Sequence, residues 1–326
     1  MKTANCNSSR AFATGSRFIS VVAVLLAALS FAQYSPCSVD KENASERVPH
    51  KSRGSSSLRD ATFHSGSLGR DMRYRVILPA GYDTSGKRYP TLFLLHGLYG
   101  DFTNWSTRTN LVSDVRDMDL IIAMPDAGNS WYVNSASNPD DKFEDYIVKD
   151  FVEQIDAHYR TIPEGYARAI AGLSMGGYAA VKFSLKYPQL FSHVGGISAA
   201  LDASADLDER HVDFREGLRK VFGEPGNPVR AQNDVFLLLS HANVKKLPQY
   251  YLDCGSDDMF FGVNRKFAAR LQELGISYEF HEMPGDHNWK YWDSAMERFL
   301  SALSKTSFLP RALNRQTLPS PVPAAP

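Results

Sequence analysis

The chain has 326 residues, 43% of them hydrophobic and 12% aromatic, which is enough apolar material to bury a substantial core as one large domain or two small ones. Lys plus Arg and Asp plus Glu stand at 36 each, so there is neither a basic field to gather nucleic acid nor an acidic excess to gather cations. Nucleic acid is not an expected partner, and the chain carries no internal repeat, P-loop, dinucleotide fingerprint or HExxH motif.

In chain order, Lys2, Arg10 and Arg17 precede the apolar run "FISVVAVLLAALSFA", which has the length of a signal-peptide core and is short for a membrane span. Ser30 and Ala32 supply the small residues for cleavage before Gln33, so residues 1–32 read as a signal peptide and the protein as exported, periplasmic or extracellular. The alternative is an uncleaved N-terminal anchor. No later segment is long and apolar enough to cross a bilayer, so no stable membrane insertion is expected once the signal is cleaved. Residues 33–58, including "KENASERVPHKSRGSSS", lack the apolar content to order themselves and read as a disordered linker. Cys6 would leave with the signal, and Cys37 and Cys254 either pair or stay as two thiols. With no CxxC, no structural zinc is expected, and no metal or other cofactor is called for.

The folded domain is predicted over 59–308, followed by a proline-rich disordered tail at 309–326. Strands are predicted at "RYRVILP" (73–79), "TLFLLHG" (91–97), "LIIAMP" (120–125), "ARAIAG" (167–172), "HVGGISAA" (193–200), "LPQYYLDCG" (247–255) and "ISYEFHEM" (276–283). Several are continuous apolar runs, the mark of a sheet covered on both faces. Helices are predicted between them, with Ile147, Phe151, Val152, Ile155 and Tyr159 forming one stripe in "EDYIVKDFVEQIDAHYR" and a second helix at "VNRKFAARLQELG". The alternation predicts an α/β class chain with a mostly parallel, doubly wound sheet flanked by helices. A small helical insertion at 201–246, after the sixth strand, is a candidate lid or side wall, or else a surface insertion.

The chemistry concentrates in "AGLSMGGYAA". Gly172, Gly176 and Gly177 clear side chains from a tight strand-to-helix turn with Ser174 at its tip, which is the nucleophile elbow of serine hydrolases. In such a sheet the partners should follow the strands. After strand 247–255 come Asp257 and Asp258, and after strand 276–283 comes His287. His287 would act as general base and acid on Ser174. Asp253 lies within its strand, while Asp257 and Asp258 both lie where a carboxylate can reach the far imidazole nitrogen, and Asp258 is preferred. The order Ser174, Asp258, His287 is that of α/β-hydrolases. The backbone N–H groups of Met175 and of Leu98, in "LLHGLYG", are the expected oxyanion donors. His96 is read as shaping that loop and not as a second base.

The motifs "LLHGLYGDFTNW", "MPDAGNSWYVN", "GLSMGGYAA", "DCGSDDMF" and "GDHNWKYW" together resemble the esterase family related to esterase D, within the α/β-hydrolase superfamily, over about residues 60–305. Its members include tributyrin-type esterases, S-formylglutathione hydrolases, feruloyl esterases and mycolyltransferases, and the likeness is strongest to the tributyrin type. The resemblance implies the α/β-hydrolase fold, the triad Ser174, Asp258 and His287, with Asp258 third after Gly255 where the family acid falls, and Leu98 and Met175 as oxyanion donors. Trp105, Trp131, Tyr132, Trp289 and Trp292 are candidates to line an acyl or aromatic pocket, with a core role as the alternative for each. The expected function is a secreted serine esterase acting through an acyl-serine on short- to medium-chain small-molecule esters. The alternatives are an acyltransferase of the mycolyltransferase type, a feruloyl or carbohydrate-ester esterase and, least favoured, a non-catalytic surface- or carbohydrate-binding protein. No sequence feature specifies an oligomeric state.

Overall fold

The structure is a computed structural model that describes residues 56–205 and 215–309. The signal peptide, nearly all of the linker with Cys37, part of the insertion and all but the first residue of the tail therefore lie outside the described residues.

Eight strands form one sheet: β1 (Ser57–Ser65), β2 (Arg70–Leu78), β3 (Thr91–Leu95), β4 (Ile121–Pro125), β5 (Arg168–Leu173), β6 (His193–Ile197), β7 (Gln249–Gly255) and β8 (Tyr278–Met283). Their spatial order is β1-β2-β4-β3-β5-β6-β7-β8. β1, β2 and β4 pair antiparallel, and every pairing from β4 through β3 to β8 is parallel. β3, β4 and β5 are buried at every residue. Their side chains alternate between two cores: Phe93 and Leu95 enter one, Leu92 and Leu94 the other, as the two-residue period of a strand requires.

The helices that cover these faces are α1 (Asn104–Arg108), α2 (Leu111–Asp114), α3 (Phe143–Asp145), α4 (Val152–His158), α5 (Met175–Lys186), α6 (Arg215–Phe222), α7 (Pro228–Gln232), α8 (Val235–His241), α9 (Phe261–Glu273) and α10 (Trp289–Lys305). α4, α5, α8 and α9 pack on one side, and α1, α2 and α10 on the other. The predicted helix at 144–160 runs as α3, a wider π-helical segment Tyr146–Phe151 and α4, with Ile147, Phe151, Val152 and Ile155 buried as one stripe. In α10, Trp292, Met296, Phe299 and Leu303 recur on one buried face, and the Asn288 side chain caps its start by accepting from the Tyr291 N–H at 3.1 Å.

The insertion follows β6, the sixth strand of the sheet. Of the six strands that precede it, β1 is the one absent from the predicted strands. β1 begins at Ser57, inside the predicted linker, and its sequence SLRDATFHS is mostly exposed. As an edge strand with one neighbour, it has no need of the apolar run that marks β3 or β4. The described helices α6 to α8 pack as a side wall: Phe222 is buried against Trp131 and Tyr178, and the Tyr178 hydroxyl donates to the Asn233 carbonyl at 2.7 Å. Among the described residues, no helix is long and apolar enough to cross a membrane.

Candidate active site

Ser174 joins β5 to α5 with φ 52° and ψ −115°, a strained conformation for a residue with a side chain. The flanking glycines let the chain make that turn. A Cβ on Gly172 would stand 2.5 Å from the Gly176 carbonyl carbon, and one on Gly176 would stand 2.6 Å from the carbonyl oxygens of Leu95 and His96. The ends of β3 and β5 and the first turn of α5 thus meet backbone against backbone, and the Ser174 N–H donates to the Ile197 carbonyl at 2.9 Å.

Two loops bring the other groups to this serine. The N–H groups of Ser256 and Asp257, after β7, donate to the carbonyls of Met283, the last residue of β8, and of Gly285 beyond it, at 2.8 and 2.9 Å. So joined, they set His287 Nδ1 2.9 and 3.1 Å from the two carboxylate oxygens of Asp258, and His287 Nε2 3.1 Å from Ser174 Oγ. Asp258 accepts the Phe260 N–H at 2.8 Å and its side chain is fully buried, whereas His287 is partly open. An Nδ1–H donated to this carboxylate leaves the Nε2 lone pair facing the serine hydroxyl. Asp257, the alternative acid, is exposed. Asp253 is engaged elsewhere: its carboxylate accepts from Arg298 at 2.8 and 2.9 Å, Tyr291 at 2.5 Å and Tyr251 at 3.1 Å.

Met175 is the first residue of α5, where backbone N–H groups have no acceptor within the helix. Leu98 follows β3 in a loop so close to the elbow that a Cβ on Gly97 would lie 3.5 Å from the Ser174 Cβ. His96 fixes this loop. Its Nδ1–H donates to the Gly97 carbonyl at 2.8 Å and its Nε2 accepts the Ala127 N–H at 3.0 Å, so both ring nitrogens are occupied in the neutral form. Burial pushes its pKa down, in the same direction.

The groups surround a cavity of about 340 Å³, bordered by Leu98, Trp131, Leu173, Phe260, Trp289 and Trp292 together with Ser174 and His287. Two of the aromatic candidates are not in that lining. Trp105 is buried beneath it, donating its indole N–H to the Leu95 carbonyl at 3.0 Å and standing edge-on to Trp289. Tyr132 is likewise buried and donates its hydroxyl to the His96 carbonyl at 3.1 Å. Each has a polar tip that a backbone carbonyl at the end of β3 satisfies, which draws the ring under the cavity floor.

Sequence reading also missed a buried support. Trp131 and Tyr132 both lie in the left-handed region, at φ 54° and 55°. The Tyr132 carbonyl accepts from Lys182 Nζ at 2.6 Å, and this fully buried ammonium pairs with Glu144 at 2.9 Å. Glu144 also takes Lys186 at 2.5 Å and the Tyr187 hydroxyl at 2.7 Å. Burial works to raise the Glu144 pKa, but the two ammonium groups outweigh it and bring it down to about 2. Burial brings Lys182 down to about 8, still charged at neutral pH. The available signal was a lysine inside the otherwise apolar "YAAVKFSL" of α5. Tyr99, Asn104, Arg108, Met259 and Phe260 also border the cavity and were not singled out.

Residues 65–303 match the family model described as "Putative esterase". Over 252 residues the chain is 32% identical to esterase Rv1288 of Mycobacterium tuberculosis (strain ATCC 25618 / H37Rv), covering 69% of this chain and 54% of that protein. The chain therefore spans about half the length of that relative. Over 259 residues it is 26% identical to an acetyl esterase of Caldicellulosiruptor saccharolyticus, covering 75% of this chain and 97% of the relative. Among solved structures it resembles substrate-bound FphF, fluorophosphonate-binding serine hydrolase F of Staphylococcus aureus, with a TM-score of 0.70, 28% identity, and coverage of 78% of this chain and 100% of that one.

Proposed function

The chain belongs to this esterase family, and from that premise we propose that it is a serine carboxylic ester hydrolase working through an acyl-serine on small-molecule esters. The observation that carries the reading is the relay Asp258–His287–Ser174, whose serine end borders the cavity. In the proposed cycle, Ser174 Oγ attacks the acyl carbonyl carbon as its proton passes to His287 Nε2. The N–H groups of Met175 and Leu98 stabilise the oxyanion, and the imidazolium, steadied by the Asp258 carboxylate, returns the proton to the departing alcohol. Water then attacks the acyl-serine carbonyl, giving its proton to His287. The acyl–Oγ bond breaks, releasing the acid, and Oγ recovers its proton.

We propose short- to medium-chain acyl groups, because a cavity of about 340 Å³ is at the small end of ordinary ligand pockets, roughly 300–1,000 Å³. The basic residues Lys2, Arg10 and Arg17 followed by an uncharged apolar run within residues 1–32 support export. The test is a series of p-nitrophenyl esters from acetate to palmitate, with and without glycerol. Highest turnover on short to medium chains, with free acid as the main product, is expected. Preference for palmitate over butyrate would overturn the chain-length reading, and new glycerol esters forming faster than free acid would replace hydrolysis by acyl transfer.

A further inference from the structure

We infer that Arg108 makes the cavity selective for esters carrying a second, anionic group, a carboxylate or a phosphate, on the part of the substrate that meets the end of α1. The inference rests on the esterase reading and adds a substrate class to it. Four observations lead there. Arg108, the last residue of α1, borders the same cavity as Ser174 and His287. Among the described residues of that lining it is the only one with a permanently charged side chain, and none is a carboxylate, so its guanidinium is the one fixed charge they present to the cavity. Among the described residues, no ion pair or side-chain hydrogen bond engages its guanidinium. Other arginines have such partners: Arg75 takes Asp60 at 2.6 Å, Arg59 takes Asp83 at 2.6 Å and Arg298 takes Asp253 at 2.8 Å.

The fourth observation is the support beneath it. The guanidinium lies 5.6 Å from the Trp289 ring centroid, in cation–π contact. Trp289 stands edge-on to Trp292 at 5.1 Å, and Trp292 edge-on to His287 at 4.9 Å. One aromatic wall thus carries both the cation and the base. A guanidinium resting on an aromatic ring keeps its planar donor edge available, and that edge matches the two oxygens of a carboxylate or phosphate in a way an ammonium does not. Because one cavity of about 340 Å³ borders both Arg108 and Ser174, a single small ester can engage both.

The test compares kcat/KM of wild type, R108K and R108Q on a neutral ester, p-nitrophenyl butyrate, and three anionic ones. These are mono-p-nitrophenyl succinate, with the carboxylate on the acyl side, and the butyrate esters of 4-hydroxybenzoate and of 4-hydroxyphenyl phosphate, with the anion on the alcohol side. At least one anionic ester should be preferred over the neutral one by wild type. R108Q should lower that preference at least tenfold, and R108K should fall between. The ester that responds identifies the anion and its side of the substrate. An unchanged preference, or an equal fall on every ester, would overturn the inference and leave Arg108 as wall. Failure of wild type on every ester, with no fluorophosphonate labelling, would sink the esterase reading instead. The inference would then be decided by titrating 4-hydroxybenzoate and phenyl phosphate against tryptophan fluorescence. Saturable wild-type binding lost in R108Q supports it, and equal or absent binding overturns it.

Discussion

Asp253 and Asp258 both come from the end of β7, both are buried, and they differ in what faces the carboxylate. Asp253 is enclosed by fixed donors: Arg298 and the Tyr291 hydroxyl, which tie β7 to α10, and the Tyr251 hydroxyl from β7 itself. The hydrogen bonds to this carboxylate drive the Arg298 pKa further up. Asp258 faces an imidazole, and the far nitrogen of that imidazole reaches a hydroxyl bordering a cavity. Equal burial therefore does not mean equal purpose. A carboxylate closed off by permanent donors braces the fold, and one that ends in an open, titratable partner can do chemistry.

The largest expected contrast is in turnover. Asp258→Asn should keep the fold and lower kcat by up to about ten-thousandfold, because an amide no longer holds the productive tautomer. Asp257→Asn, at an exposed position, should cost far less. Steady-state kinetics on one soluble ester distinguishes them, and a crippled Asp257→Asn would move the acid by one residue. Arg298→Met should do the reverse at Asp253. Leaving a buried carboxylate with only its tyrosine partners should cost about 3 kcal/mol in denaturant unfolding, while turnover per intact active site stays close to wild type. Lost turnover without lost stability would erase the difference between the two acids.

A second brace sharpens the comparison through pH. The Glu144 carboxyl is held at about 2, below the ordinary 4.5, so between those values the unfolded chain binds more protons. Its contribution is complete above pH 4.5 and is lost as pH falls through that range towards 2, by up to about 3 kcal/mol. Glu144→Gln should be less stable at neutral pH and should show a shallower loss on acidification. Parallel wild-type and variant curves would contradict the pair. The smallest effect is expected for Tyr132→Phe, which removes one buried hydrogen bond and should cost about 1 kcal/mol, with turnover falling by no more than a few-fold.

What could be read in the sequence follows the same division. β3 to β5 announce themselves because strands covered on both faces need unbroken apolar runs, whereas β1, an edge strand with charges at Arg59 and Asp60, resembles linker. Ser174, Asp258 and His287 are legible together because each follows a strand whose end faces the same side of the sheet. The Glu144–Lys182 pair is not, since charges on helices ordinarily face water and only tertiary packing brings these two together. Nor does composition tell which aromatic side chains reach the cavity: Trp131 and Trp289 do, while Trp105 and Tyr132 turn under its floor to satisfy an N–H and an O–H.

The central claim, that the serine at the elbow is the nucleophile driven by the Asp258–His287 pair, is tested most directly by treating wild type, Ser174→Ala and Asp258→Asn with a fluorophosphonate and mapping the adduct by peptide mass. The account predicts one stoichiometric adduct on the peptide containing Ser174 in wild type, none in Ser174→Ala and strongly slowed labelling in Asp258→Asn. An adduct on another residue, or labelling that survives in Ser174→Ala, would contradict it.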